Sequence, residues 1–112
     1  MATLTVQTIN RAGIELVAAD QPADVAGDKL PNTGVEFIYV HNGGGGSINV
    51  TLDIQTTVDG QAVTDRVVAV GAGERKLIGP FPSGTYNDSQ GNMNVGYSGV
   101  TSVFIAALKL GS

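Results

Sequence analysis

Apolar and polar residues alternate one by one in short runs along this chain. In the clearest run, Ile48, Val50, Leu52 and Ile54 fall on one side and Asn49, Thr51, Asp53 and Gln55 on the other. That period of two predicts a strand over Ile48–Thr57 with one buried and one wet face, as in antiparallel sheets. Leu4, Val6 and Thr8 alternate with Thr5, Gln7 and Ile9, and Met93, Val95 and Tyr97 with Asn94, Gly96 and Ser98, predicting two more. Glu15–Ala18, Val35–His41 and Lys76–Gly79 read as further strands, the last stopped by Pro80 and Pro82. Ser102–Leu110 is apolar almost throughout, which predicts burial on both faces, either centrally or against a partner.

The punctuation fits. Glycine is abundant, with 16 residues against 4 prolines. Asp59-Gly60 is the dipeptide of a two-residue type I′ hairpin turn. It sets Val58 opposite Gln61, Leu52 opposite Val67 and Val50 opposite Ala69, and pairs Asp53 with Arg66 on the wet side. Such an exposed ion pair contributes about 0.2–1 kcal/mol. Asn42-Gly43 is a turn signal, and the four glycines Gly43–Gly46 read as a flexible hairpin tip. Asp20–Gly34, rich in Asp, Pro and Gly, reads as a long excursion without a strand of its own. No window of roughly eleven residues carries a helical period. About seven or eight strands at regular spacing predict an all-β antiparallel β-sandwich or a small barrel, in one domain over 1–112.

Composition narrows the function. Charged residues are only 14%, well under the usual quarter or so, and hydrophobic ones 42%. A surface so poor in charge fits one that meets other protein, and fits equally a surface of neutral Thr, Asn, Ser and Gln. The net charge is −4, and the six Lys and Arg are scattered, so nothing tracks the phosphates of a nucleic acid. The longest apolar run, near Val103–Leu108, is too short for a membrane span. The start, Met1-Ala2-Thr3-Leu4-Thr5, lacks the pattern of a signal peptide. The expectation is a chain that stays where it is made or leaves inside an assembly.

Candidate chemistry is thin. The one histidine, His41, ends a strand beside the glycines, where a lone His is far more often a surface or turn residue than a catalytic base, and there is no second His for a His-based metal site. Asp53, Asp59 and Asp65 each have a structural role on one hairpin. Asp20, Asp24 and Asp28 do not follow the every-second-residue spacing of a calcium loop. Neither glycine-rich stretch leads into a helix as a phosphate loop does. The chain has no cysteine. No catalytic residue, metal ligand or cofactor site is expected, and the protein reads as a non-enzyme.

Two stretches carry a resemblance. One is Gly27-Asp28-Lys29-Leu30-Pro31-Asn32, leading into Val35-Glu36-Phe37-Ile38-Tyr39-Val40-His41-Asn42-Gly43. The other is Val70-Gly71-Ala72-Gly73-Glu74-Arg75-Lys76-Leu77-Ile78-Gly79-Pro80-Phe81-Pro82, with Thr85-Tyr86-Asn87 just after. With the Thr57-Val58-Asp59-Gly60 turn between them, the chain from about Thr3 to Leu110 resembles small virion proteins of tailed bacteriophages, of the head decoration or cement kind. The resemblance implies a β-sandwich of jelly-roll-like form on the outer surface of a capsid, assembled in the host cytoplasm. It implies that neighbouring major capsid protein subunits are cemented by a homo-oligomer, a trimer at local three-fold positions.

The contact residues expected on that reading are in three places. Thr3, Leu4, Thr5 and Val6 form an N-terminal strand open to pairing with a neighbour's sheet. Asp28, Lys29, Leu30, Pro31 and Asn32 lie in the long excursion. Phe81, Pro82 and Tyr86 lie in the proline-braced turn Leu77–Tyr86, where Phe81 could equally plug the end of the sandwich. Two other functions stay open: a head–tail connector or tail protein of the virion, and a carbohydrate-binding sandwich. The last needs exposed aromatics, and with no Trp and with Tyr39 and Tyr97 inside strands, only Tyr86 is left for it.

Overall fold

The computed structural model describes residues 2–13 and 21–110. Its elements in chain order are β1 (Ala2–Thr3), β2 (Val6–Ile9), β3 (Gln21–Pro22), β4 (Asp28–Pro31), β5 (Glu36–Asn42), β6 (Ile48–Leu52), β7 (Thr57–Val58), β8 (Gln61–Ala62), β9 (Arg66–Val70), β10 (Arg75–Ile78), one helical turn α1 (Ser83–Tyr86), β11 (Asn92–Tyr97) and β12 (Val103–Leu110). The molecule is all-β, with its strands in three sheets. Eight of the described strands are four residues or longer, and the others are two-residue pairings too short to show a period. The Glu15–Ala18 strand expected from the sequence lies outside the described residues.

The first sheet has the order β1-β4-β11-β6-β9, with β1 parallel to β4 and the remaining pairs antiparallel. The second has the order β10-β5-β12-β2, with β2 parallel to β12 and β3 antiparallel to it. Alternation decides what each strand buries. Val50 and Leu52 of β6, Met93 and Val95 of β11 and Leu30 of β4 turn inward from the first sheet. Ile38 and Val40 of β5 and Val103, Ile105 and Ala107 of β12 join the same buried cluster from the second. The other face of β12 is buried as well: Ala106 and Leu108 pack with Tyr39, Phe37 and Ile9. The continuous apolar run of the last strand thus reflects a central position between β5 and β2.

The expected all-antiparallel pairing fails at the N-terminal strands, because β1 and β2 run parallel to β4 and β12. Three further expectations need correction. Asp28–Pro31 is a strand, β4, held between β1 and β11. Its buried positions are Asp28 and Leu30, so a carboxylate stands where a pattern reader expects an apolar residue. The four glycines are no hairpin tip, because β5 and β6 belong to different sheets and the glycines carry the chain between them. The side chain of Asn42, fully buried, holds this crossover: its amide donates to the carbonyls of Gly46 (2.8 Å) and Val70 (3.0 Å) and its oxygen accepts the Gly44 N–H (3.0 Å).

The third correction is register. The Asp59-Gly60 turn forms, with positive φ at both residues (55° and 74°) and Val58 opposite Gln61. That register does not extend into β6 and β9, where Leu52 faces Arg66 and Val50 faces Val68. Four residues, 53–56, oppose three, 63–65, so one extra residue sits on the first arm, as in a bulge. Its cause is local capture. The N–H groups of Gln55 and Thr56 donate to the Thr85 carbonyl, and that of Ile54 donates to the Asp65 carboxylate. Val68 therefore points inward and Val67 outward, and Asp53 is not opposite Arg66. Burial, then the nearby Asp65 carboxylate, push the Asp53 carboxyl above its ordinary range.

Candidate functional site

Strand order gives the molecule two flanks. At one, the chain passes from edge strand β1 of the first sheet to edge strand β2 of the second through Leu4 and Thr5. At the other, edge strand β9 is joined to edge strand β10 by the turn Gly71–Glu74.

The sequence-predicted contact residues divide between them. At the first flank Thr3 pairs with Lys29, the Leu4 N–H donates to the Lys29 carbonyl at 2.7 Å, and Val6 pairs with Ala107. The N-terminal strand is therefore engaged within the chain along one edge. Leu4, Asp28, Leu30 and Asn32 are buried, which takes their side chains off the surface available to a partner. Thr3, Thr5 and Pro31 are exposed, and Val6 and Lys29 partly so. Asn32 instead ties the elements together: its amide donates to the Phe81 carbonyl (3.0 Å) and to Asn87 Oδ1 (2.8 Å).

Phe81 and Tyr86 are buried too, their rings edge to face with centroids 5.3 Å apart. Phe81 is thus a plug in the core and Tyr86 a wall. Of the three residues predicted in that turn, only Pro82 is exposed.

Beside that wall lies the feature that single residues do not announce. A cleft of about 570 Å³ opens at the second flank between the two sheets. Its apolar lining includes Val68 of β9, Ile78 of β10 and Phe81, and its cations are Arg66 and Lys76. Arg66 Nε donates to the Tyr86 hydroxyl at 3.1 Å. Lys76 reaches from the second sheet to the first, its Nζ donating to the Ala69 carbonyl at 2.7 Å. A lysine spanning an open flank is one way an edge strand is partly blunted.

Among the described residues, no strand pairs with the outer edges of β9 and β10. Ser98 N–H donates to Asn49 O and Asp53 N–H to Asn94 O, so the odd residues of β6 bond toward β11 and the even ones toward β9. With Thr51 opposite Val67 and Asn49 opposite Ala69, the N–H and C=O groups of Val67 and Ala69 are directed to the free edge. Asn42 N–H likewise donates to Glu74 O, so Lys76 and Ile78 bond β5 while Arg75 and Leu77 present theirs outward. The side chains add apolar area: Val67 is 55% and Leu77 66% exposed. Leu77 also lines a second, smaller hollow with Phe37 and Pro80.

The residues of chemical interest lie elsewhere. His41 sits on β5 opposite Phe104 and stacks on its ring at 6.3 Å between centroids. Among the described residues no group of three or more His, Asp or Glu gathers; Asp20 lies outside them.

Compared with protein-family models, with curated proteins and with solved structures, the chain matches none.

Of this flank, the sequence reading reached only the segment from Leu77 to Tyr86; Arg66, Val67, Val68 and Lys76 were missed because their meeting depends on strand order. One signal was available: Arg75-Lys76-Leu77-Ile78 puts Leu77 on the same face as Arg75, an apolar residue on a wet face.

Proposed function

We propose that this chain is a non-catalytic structural protein that binds other protein through its surface, specifically a decoration or cement protein on the capsid of a tailed phage. In this reading it has a jelly-roll-like sandwich form, sits on the outer surface of the virion and clamps neighbouring major capsid subunits, as a homo-oligomer, most simply a trimer. The virion, the trimer and the capsid partner rest on the resemblance of the Gly27–Asn32 and Val70–Pro82 stretches.

One structural observation carries the binding part of the proposal. Two edge strands, β9 and β10, lie open on one flank and carry Val67 and Leu77, both more than half exposed. Open edges with apolar side chains favour pairing with another chain, and proteins that gain nothing from such pairing usually cover them. A clamp between capsid subunits would use such a flank. A core fed by both large sheets supports the sandwich form.

The connector or tail reading shares the same surface argument and is separated from decoration by location on the particle. The carbohydrate reading loses its remaining aromatic, since Tyr86 is buried against Phe81 with its hydroxyl held by Arg66.

The test is reconstitution. Purified protein is mixed with undecorated capsids, and bound copies per particle and the heat resistance of the shell are measured. Occupancy across the whole lattice with a raised disassembly temperature supports cement. Binding confined to the neck or tail moves the protein to the connector reading, and no binding to any part of the particle overturns the virion proposal.

A further inference from the structure

We infer that β10 is the docking edge for an extended, acidic segment of another protein, which adds to the second sheet as an antiparallel strand. The inference deepens the binding reading above and concerns the same flank.

The edge is chosen by its free backbone groups. Arg75 and Leu77 present N–H and C=O outward on β10, whereas on β9 the Ala69 carbonyl already accepts from Lys76. Strand addition takes its affinity from those main-chain groups and its selectivity from side chains at every second position. On one side of the incoming strand lies the cleft, whose charged lining is Arg66 and Lys76, with no carboxylate. On the other side lies the apolar hollow of Phe37, Leu77 and Pro80. A segment that alternates acidic and apolar residues meets both.

Charge also selects against a second copy. Arg66, Arg75 and Lys76 are half of the chain's six cations, and pairing this flank with itself across a two-fold axis sets them against one another. The nearest carboxylates in sequence are engaged: Asp65 accepts the Ile54 N–H and Glu74 the Gly71 N–H. Both keep their charge while accepting those bonds, so the three cations exceed the two neighbouring carboxylates by one positive charge, on a chain of net charge −4.

The probe is a capped peptide of sequence Gly-Glu-Val-Glu-Val-Glu-Gly, with a Lys-for-Glu peptide and a Glu-Glu-Glu-Val-Val block peptide as comparisons. Binding is followed by amide shifts in NMR titration of the full chain. The expected result is saturable shifts at Arg75, Leu77 and Arg66 with the alternating acidic peptide, at least tenfold tighter than with either comparison. Leu77→Pro removes the outward N–H without removing a bond to β5, so it should abolish binding in a folded protein. Should Leu77→Pro not fold, the double variant Arg66→Glu with Lys76→Glu serves, and should invert the preference toward the Lys peptide.

Equal binding of all three peptides, binding unmoved by these variants, or no binding overturns the inference. So does a dimer of the free chain that Leu77→Pro dissolves, which would assign the edge to a second copy. Wild-type protein that decorates capsids but ignores the peptide sinks this inference and leaves the proposed function standing; protein that takes the peptide but no capsid does the opposite.

Discussion

The hydroxyl of Tyr97, on β11, donates a 2.7 Å hydrogen bond to Oδ2 of Asp28, on the neighbouring strand β4. Asp28 is fully buried, and the same oxygen accepts the Asp24 N–H at 3.2 Å. Its other oxygen, Oδ1, finds no donor among the described residues. Tyr97 is therefore a main source of hydrogen bonding for a polar group inside the first sheet.

Tyr97→Phe keeps the ring and removes the donor. Leaving a buried acceptor short of its partner costs about 1–3 kcal/mol, which urea unfolding near neutral pH should report. The variant should also change the alkaline limb. Burial first, then the hydrogen bond and charge of Asp28, hold the Tyr97 phenol above its ordinary value of 10.0. A folded-state pKa above the unfolded one means that the native state keeps the proton longer. The contribution is complete below the unfolded value and falls as pH rises past it. Wild type should lose stability above about pH 10 more steeply than Tyr97→Phe.

Acid acts through a different residue. The Glu36 carboxylate, buried at the start of β5, accepts the Thr33 N–H (2.7 Å) and the Thr33 hydroxyl (2.9 Å). Burial pushes its pKa upward, but the hydrogen bonds from Thr33, and then those from the backbone at Glu36 and Val35, outweigh it and hold the value below the ordinary 4.5. With the folded pKa depressed, its stabilisation is complete above the unfolded value and is lost as pH falls through the folded one. Glu36→Gln, which keeps one acceptor oxygen, should cost about 1–2 kcal/mol near neutral pH. It should also flatten the decline of Tm below pH 4.5. It should not abolish that decline, since Asp88, held low by the N–H groups of Asn92 and Gln90, has the same sign.

These two carboxylates also show where sequence reading stops. Strands whose inward positions are all hydrophobic residue types were legible: the alternation of Met93, Val95 and Tyr97 and the double-sided run of β12 both came through. β4 did not, because a buried Asp28 breaks the apolar pattern, and the Tyr97 hydroxyl that accommodates it lies 69 residues away. Of the residues expected at a contact surface, the buried ones, such as Leu30, Phe81 and Tyr86, were noticeable because they are special in sequence. That distinctiveness reflects packing. The open flank is assembled from ordinary residues on β9 and β10, and only strand order reveals that nothing in the described chain pairs with their outer edges.

Asn42 was legible only as a turn signal, yet its side chain joins the two large sheets through the carbonyl of Val70 on β9. Asn42→Ala removes three hydrogen bonds, one of them to the buried Val70 carbonyl. The expected loss is about 2–4 kcal/mol in chemical denaturation. Asn42→Asp should be no milder, because a carboxylate cannot donate to Gly46 and Val70. If the glycines were a free hairpin tip, both substitutions would be nearly neutral.

The register of β6 on β9 is decided by a pair of adjacent valines. Carried down from the Asp59-Gly60 turn, the pairing puts Val67 against Leu52 in the core. The extra residue in 53–56 turns Val67 out, to 55% exposure, and packs Val68 against the core. A slip of one residue reverses every side chain of a strand, so the two arrangements make opposite claims. Val68→Ala should cost about 1–2 kcal/mol through lost packing, while Val67→Ala should stay within about 0.5 kcal/mol. Equilibrium unfolding of both variants measures the contrast. The reverse ranking would mean that β9 follows the turn after all, with Val67 and Ala69 buried and Val68 outside. The cleft would then lose Val68 from its lining and Arg66 from its mouth, and the flank would lose the cation and the apolar wall that make it a binding edge.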